Sequence, residues 1–184
     1  MKRLRDLMRD KDRAYKANNT KNVALICVEL AAEFNAAKNL KMAEQELLEA
    51  LEIYKSLGES KRLDVAQMHR GLCDLYLEMS LEDNASEGLL KILLFFQSET
   101  VAFFISGVFA TALDHAEAYY GIVKALDIKI EIQRALTTFG RCYLDRSHHS
   151  ETDRKAKDLA YAEKYFHQSL KVSFYVINLY VFCD

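Results

Sequence analysis

The chain has 184 residues, of which 51% are hydrophobic, and a formal net charge of −2. This length provides one ordinary domain or a short solenoid, and the near-neutral charge gives no general attraction to nucleic acid or anionic membrane. The sequence contains no proline and only 6 glycines. Because both residues disfavour helices, this composition favours an all-α fold.

The N-terminal segment, residues 1–18, is charged throughout and lacks the apolar stretch of a signal peptide. Its apolar residues Leu4, Leu7, Met8 and Tyr15 follow helical spacing. We therefore expect a helix here that caps the exposed edge of a repeat domain covering residues 19–172.

The cysteines of the chain are scattered, with no CxxC pair. They are Cys27, Cys73, Cys142 and Cys183. We interpret them as small core residues in a reducing compartment, in preference to disulfide partners or metal ligands.

Residues 24–57 match a helical-hairpin repeat. In the tetratricopeptide (TPR) template of about 34 residues, small or apolar side chains recur at positions 4, 7, 8, 11, 20, 24 and 27. These positions are filled by Cys27, Leu30, Ala31, Phe34, Ala43, Leu47 and Ala50. Ala31 and Ala43 are small enough to let the two helices approach closely. The pattern predicts a TPR-type solenoid of about three repeats.

Two further copies of the repeat follow. Their first helices carry His69, Leu72, Cys73 and Tyr76, and then Leu136, Phe139, Gly140 and Tyr143. Their second helices carry Ala112, Ala116 and Tyr119, and then Ala162, Phe166 and Ser169. In the third copy, Gly140 and Ala162 are 22 positions apart where the template has about 12. The residues between them are polar and non-periodic, so we expect a long loop there.

The second copy is interrupted by the apolar segment 86–111. A membrane segment is one hypothesis, although Gln97, Ser98, Glu99 and Thr100 interrupt the apolar run that a spanning helix needs. A solenoid helix without a polar face is another. The hypothesis that we favour is translated non-coding sequence or a gene-model error, and it extends to the apolar tail 173–184. The chain would then be part of a longer protein.

No catalytic motif is present: there is no Gly-rich phosphate loop, HExxH or GxSxG sequence. We therefore expect no enzymatic activity, no cofactor and no metal. His148 and His149 lie near acidic residues in the expected loop, but adjacent histidines rarely converge on one ion, so a solvated loop is the favoured interpretation. Binding of other proteins is the function that remains.

The first helix of each repeat lines the concave face of a solenoid. The polar residues at those positions form the predicted protein-binding surface. They are Asn35, Gln67, Arg70, Asp74, Glu78, Arg134, Thr137, Arg141 and Asp145. Arginines beside carboxylates suit an extended peptide that carries both charges.

The third copy also resembles a known family. Residues 131–172 contain a QRA sequence, the pair Gly140–Arg141, the pair Leu144–Asp145, a polar stretch, and then Ala162, Phe166, Ser169 and Leu170. This order resembles the N-terminal repeats of Tonsoku-like proteins. Residues 65–79 and 112–127 are similar to the two helices of that family's second repeat.

The resemblance implies a nuclear scaffold that acts at chromatin, in the repair of stalled or broken replication forks by homologous recombination. The implied partners are a histone tail and a partner subunit that recruits recombination factors, with no direct binding of nucleic acid or membrane. The family's ankyrin repeats, acidic stretch and leucine-rich repeats do not occur in this sequence. The alternative is a generic TPR adaptor of the co-chaperone or trafficking type, which would place the chain in the cytoplasm as well.

Overall fold

The computed structural model describes the backbone of residues 2–93, 98–150 and 152–181, and the side chains of residues 3–80, 107–150 and 152–176. Within these ranges the chain is helical and contains no β-strand, which confirms the predicted all-α class. The helices are α1 (Lys2–Lys16), α2 (Thr20–Ala36), α3 (Leu40–Ser56), α4 (Arg62–Leu93), α5 (Ser98–Ala125), α6 (Lys129–His148) and α7 (Thr152–Val181), with a short 3-10 helix (Glu59–Lys61) before α4.

The chain forms two compact units, residues 1–75 and residues 76–184. In the first unit α1 packs against α2, and α2 packs against α3. In the second unit α5 packs against α6, and α6 packs against α7. These helix pairs are neighbours both in sequence and in space, which is the arrangement expected of helical hairpins joined by short turns.

Two asparagines cap α2 and α3 in the first unit. The Asn19 side chain accepts a hydrogen bond from the backbone N–H of Asn22 at 3.1 Å and caps α2. The Asn39 side chain caps α3 in the same way, at 3.3 Å from the N–H of Met42. Such caps satisfy N–H groups that have no partner within the helix, and each contributes about 1 kcal/mol. They therefore determine where the turns end and α2 and α3 begin.

The core of the first unit contains the residues that the repeat pattern selects. Cys27, Leu30 and Ala50 are fully buried, and Ala31 and Ala43 are 4% and 1% exposed. Burial of one large aliphatic side chain contributes roughly 1.5–3 kcal/mol, so this stripe supplies much of the stability of the α2–α3 hairpin.

The core of the second unit follows the same pattern. Ala112, Ala116 and Tyr119 are fully buried on α5. Phe139 of α6 stacks on Tyr165 of α7, with ring centroids 4.8 Å apart. Aromatic contacts therefore bind α6 to α7 in addition to the burial of small residues.

The prediction of a long loop in the third copy is wrong. The α6 helix continues to His148 and α7 begins at Thr152, so that only residues 149–151 connect them. The polar residues assigned to the loop lie on the last turn of α6 and the first turns of α7. They contain no glycine or proline, and one of them, Asp158, is buried in an ion pair with Arg146. The polar composition suggested side chains that stay in water. Asp158 is instead buried, because Arg146 pairs with it across the hairpin.

The predictions for the two apolar segments fall mostly outside the described residues. Residues 94–97 and 182–184, and the side chains of 81–106 and 177–184, are not described. The described backbone of residues 86–93 belongs to α4, that of 98–111 to α5, and that of 173–181 to α7. Among the residues that the structure describes, no helix is long and apolar enough to cross a membrane.

Candidate protein-binding surface

The predicted surface residues are divided between the two units. Asn35, Gln67, Arg70 and Asp74 belong to the first unit, and Glu78, Arg134, Thr137, Arg141 and Asp145 belong to the second. Gln67, Arg134 and Arg141 are exposed, and the other six are half-buried.

Asn35 lies in the last turn of α2 and has an unsatisfied polar atom. Its side-chain oxygen, Oδ1, is buried and accepts no hydrogen bond from any described residue. A buried acceptor without a donor costs about 1–3 kcal/mol. Because this oxygen is closed to solvent, it does not itself offer a contact to a peptide.

Three of the candidates lie on one face of α4. Gln67, Arg70 and Asp74 are spaced i, i+3 and i+7, which places their side chains on adjacent turns of the same side. Arg70 and Asp74 thus present a cation and an anion one turn apart.

Arg134 is held at the first turns of α6. Its Nη1 lies 2.5 Å from Oε1 of Glu131, while Oε2 of Glu131 accepts the Tyr119 hydroxyl, also at 2.5 Å. Glu131 is buried, whereas the Arg134 side chain is 53% exposed. The buried carboxylate therefore orients an exposed guanidinium.

Thr137 forms hydrogen bonds between α6 and α7. Its hydroxyl is 3.0 Å from the carbonyl oxygen of Gln133 and 2.8 Å from the hydroxyl of Ser169 on α7. The Gln133 side chain also donates to the Ser169 hydroxyl, at 3.1 Å. Thr137 thus joins α6 to α7, and its hydroxyl is engaged within the hairpin.

Asp145 lies near the end of α6, one turn after Arg141. Burial raises the pKa of the Asp145 carboxyl above its usual value, while the charges of Arg141, His148 and His149 partly oppose this effect. The His149 ring stacks on Phe109 of α5, with centroids 5.6 Å apart. The end of α6 therefore combines an exposed arginine with a half-buried carboxyl.

Sequence reasoning missed a charged cluster in the first unit. The ammonium of Lys11 on α1 lies 2.6 Å from Oε2 of Glu46 and 2.8 Å from Oε2 of Glu49, both on α3. The Tyr15 hydroxyl also donates to Glu49. The spacing offered a signal, since Lys11 and Tyr15 are one turn apart on α1 and the two glutamates are one turn apart on α3. The local sequence did not, however, indicate that this face of α1 meets this face of α3.

The same cluster contains a group of potential metal ligands. The ligand atoms of Cys27, Glu46 and Glu49 lie within 4.8 Å of one another, the only such group within the described ranges. Burial raises the pKa of the Cys27 thiol to about 12, so the thiol stays protonated at neutral pH. Metals bind the thiolate, and the Lys11 ammonium already supplies a cation to both carboxylates. These groups therefore fit an internal ion pair better than a metal site.

Comparisons of the chain with protein-family models, with curated proteins and with solved structures gave no match. Its function must therefore be inferred from its own residues.

Proposed function

We propose that the chain is a protein-binding helical-repeat scaffold of the TPR type. One contact carries this proposal: a Cβ atom placed on Gly140 would lie only 2.6–2.8 Å from three carbons of the Phe166 ring. The repeat template has a small residue at position 8 of its first helix and an aromatic residue at position 24 of its second. Gly140 and Phe166 are residues of these two types in contact across α6 and α7. They are 26 positions apart where the template has about 16, because the additional residues lengthen the two helices.

The burial of the other template residues supports the same proposal. Ala31, Ala43, Ala112 and Ala162, at template positions 8 or 20, are at most 4% exposed. Small residues at these positions let paired helices approach closely. The polar candidates are exposed or half-buried instead, so part of each side chain lies at the surface of its unit.

Within this class, we propose a role like that of Tonsoku-like proteins: a nuclear scaffold in replication-fork and double-strand-break repair by homologous recombination. It would bind a histone tail and a partner subunit that recruits recombination factors. The residues that carry the resemblance form the α6–α7 hairpin, which supports this proposal. Asp74 in the first unit and Asp145 in the second are the carboxylates that we expect to meet cations of the tail.

A generic TPR adaptor is the second candidate function. The candidates of each unit carry both signs: Arg70 and Asp74 in the first, and Arg134, Arg141, Glu78 and Asp145 in the second. Residues of both signs within a unit suit a peptide of mixed charge better than a strongly basic one.

Fluorescence anisotropy with a labelled histone tail peptide tests the finer proposal. Asp74→Asn and Asp145→Asn, measured separately, should each weaken binding about 3- to 10-fold, which corresponds to roughly 0.7–1.4 kcal/mol. Glu163→Gln is the matched control, because Glu163 is an exposed carboxylate on α7 outside the surface, and it should leave the affinity unchanged.

A second peptide, in which glutamine replaces every lysine, should bind much more weakly. Wild-type affinity in both aspartate variants, or equal binding of the two peptides, contradicts histone recognition by this surface. Preference for a mixed-charge peptide over the histone tail would instead favour the adaptor function.

A further inference from the structure

A cavity of about 430 Å³ lies in the second unit, where the end of α6 faces the start of α7. None of its lining residues belongs to the predicted surface described above. They are Arg146, Asp153, Arg154, Lys157, Asp158 and Tyr161. The wall thus combines three cations, two carboxylates and one aromatic ring.

Arg146 is held rigidly in the wall of this cavity. Its Nε and Nη2 atoms donate to the two carboxylate oxygens of Asp158, at 3.0 and 2.6 Å, and Asp158 is 1% exposed. Its guanidinium carbon lies 4.9 Å from the centroid of the Tyr143 ring. Such a two-pronged ion pair, supported by an aromatic face, orients the guanidinium before any ligand arrives.

Three other side chains that line the cavity come from one side of α7. Arg154, Lys157 and Tyr161 are spaced i, i+3 and i+7, so their side chains follow one face of the helix. Since Asp158 neutralises Arg146, the other charges are Arg154 and Lys157 against Asp153. Among the lining residues that the structure describes, this leaves a net charge of +1.

Tyr161 gives the cavity an apolar wall beside the cations. Its ring stacks on Tyr143 with centroids 5.1 Å apart, and the residue is 46% exposed. The methylene groups of an acidic side chain can pack on such a ring while the carboxylate reaches the cations.

We propose that this cavity binds the carboxylate of a glutamate or aspartate in an acidic peptide segment of a partner protein. The volume accommodates one or two side chains. One net positive charge matches a carboxylate better than a phosphate group, which carries about −1.5 to −2 at pH 7. The inference rests on the proposed protein-binding role, but it uses different residues, so the two can fail separately.

The test uses the full chain and a fluorescein-labelled octapeptide of alternating glutamate and glycine, in anisotropy titrations at low salt. An otherwise identical glutamine peptide is the ligand control. The double variant Arg154→Ala with Lys157→Ala should weaken binding of the glutamate peptide at least 10-fold. Lys155→Ala with Lys171→Ala is the matched control: it removes the same charge from exposed positions of α7 outside the cavity, and it should change binding less than 2-fold.

The proposal is overturned if the glutamate peptide does not bind, if the glutamine peptide binds equally, or if both double variants lose the same affinity. Tighter binding of a phosphoserine peptide than of the glutamate peptide would overturn the assignment to a carboxylate. NMR shifts of the Arg154 and Lys157 side chains on addition of the peptide provide a measurement that does not depend on how the variants fold.

The histone tail peptide separates this inference from the proposed function. Its affinity should be the same in the wild type and in the Arg154→Ala, Lys157→Ala variant. If the wild-type protein binds the histone tail peptide but not the glutamate peptide, the cavity proposal fails and the proposed function stands. If it binds the glutamate peptide but not the histone tail peptide, the histone-binding surface fails and the cavity proposal stands.

Discussion

The Phe166 ring lies directly against Gly140, so closely that a Cβ atom on residue 140 would be 2.6 Å from the ring carbon Cε1. Gly140 is buried on α6 and Phe166 is half-buried on α7. The missing side chain of the glycine is what allows the aromatic ring to reach the α6 backbone. The close approach of the two helices therefore depends on this pair.

Gly140→Ala should destabilise the protein. Alanine improves helix propensity by about 1 kcal/mol, but forcing a methyl group against the Phe166 ring costs roughly 1–3 kcal/mol. We expect a net loss of about 1 kcal/mol in the free energy of unfolding, measured by urea denaturation followed by circular dichroism.

Gly121→Ala on α5 is the control for this substitution. Gly121 is exposed, and an added Cβ would meet no atom within 4 Å. Only the propensity gain remains, so this variant should be more stable by roughly 0.5–1 kcal/mol. Equal stabilisation by both alanines would contradict the steric role of Phe166.

Lys11→Met should destabilise the first unit, because it leaves Glu46 and Glu49 close together without their shared cation. The Lys11 and Glu46 side chains are only 14% and 11% exposed. Loss of one partner of a buried ion pair costs about 3–5 kcal/mol, and the 33% exposure of the Glu49 side chain reduces this to about 2 kcal/mol. The measurement is the midpoint of urea unfolding.

Arg13→Met, also on α1, is the control for Lys11→Met. The Arg13 side chain is 67% exposed and pairs with Asp10 within the same helix. Exposed pairs of this kind contribute about 0–1 kcal/mol. The structural role of the Lys11 cluster is refuted if Arg13→Met costs as much as Lys11→Met.

The first unit should lose stability in acid through Glu49. Burial alone would raise the pKa of Glu49, but hydrogen bonds from Lys11 and Tyr15 outweigh it, and the pKa lies below its usual value. A carboxyl with a lowered folded-state pKa stabilises the protein fully above its unfolded pKa, about 4.3. This stabilisation is lost as the pH falls through the folded-state pKa.

Melting temperatures measured from about pH 6 down to about pH 3 test this dependence. The Glu49→Gln variant should melt lower at pH 6 and lose less stability than the wild type as the pH falls. Glu52→Gln, on the exposed side of α3, should keep the wild-type slope. A wild-type slope in Glu49→Gln would contradict the role assigned to this carboxyl.

The predicted core could be read from the sequence because it depends on spacing and size. Ala31, Ala43 and Gly140 recur where paired helices touch, and all three are buried. The polar stretch at the end of α6 and the start of α7 misled the same reasoning. Its composition is typical of a solvated loop, and the ion-pair partner that buries Asp158 is not visible in the local sequence. That partner, Arg146, is 12 positions from Asp158.

The candidate surface was predictable only in part. Arg134 and Arg141 are exposed as a binding role requires, but Thr137 bonds to Ser169, 32 positions away. Helical periodicity gives the side of α6 on which Thr137 lies. It does not show how closely α7 approaches that side.

By itself, the sequence determined that the chain is helical and which small residues lie between paired helices, because helix propensity, periodicity and side-chain size are local properties. Only the tertiary structure decided that Lys11 pairs with Glu46, that Arg146 and Asp158 close the α6–α7 hairpin, and that a charged cavity lies beside them. Each of these features needs side chains from separate helices to meet at hydrogen-bonding distance, and that distance is determined by how the helices pack.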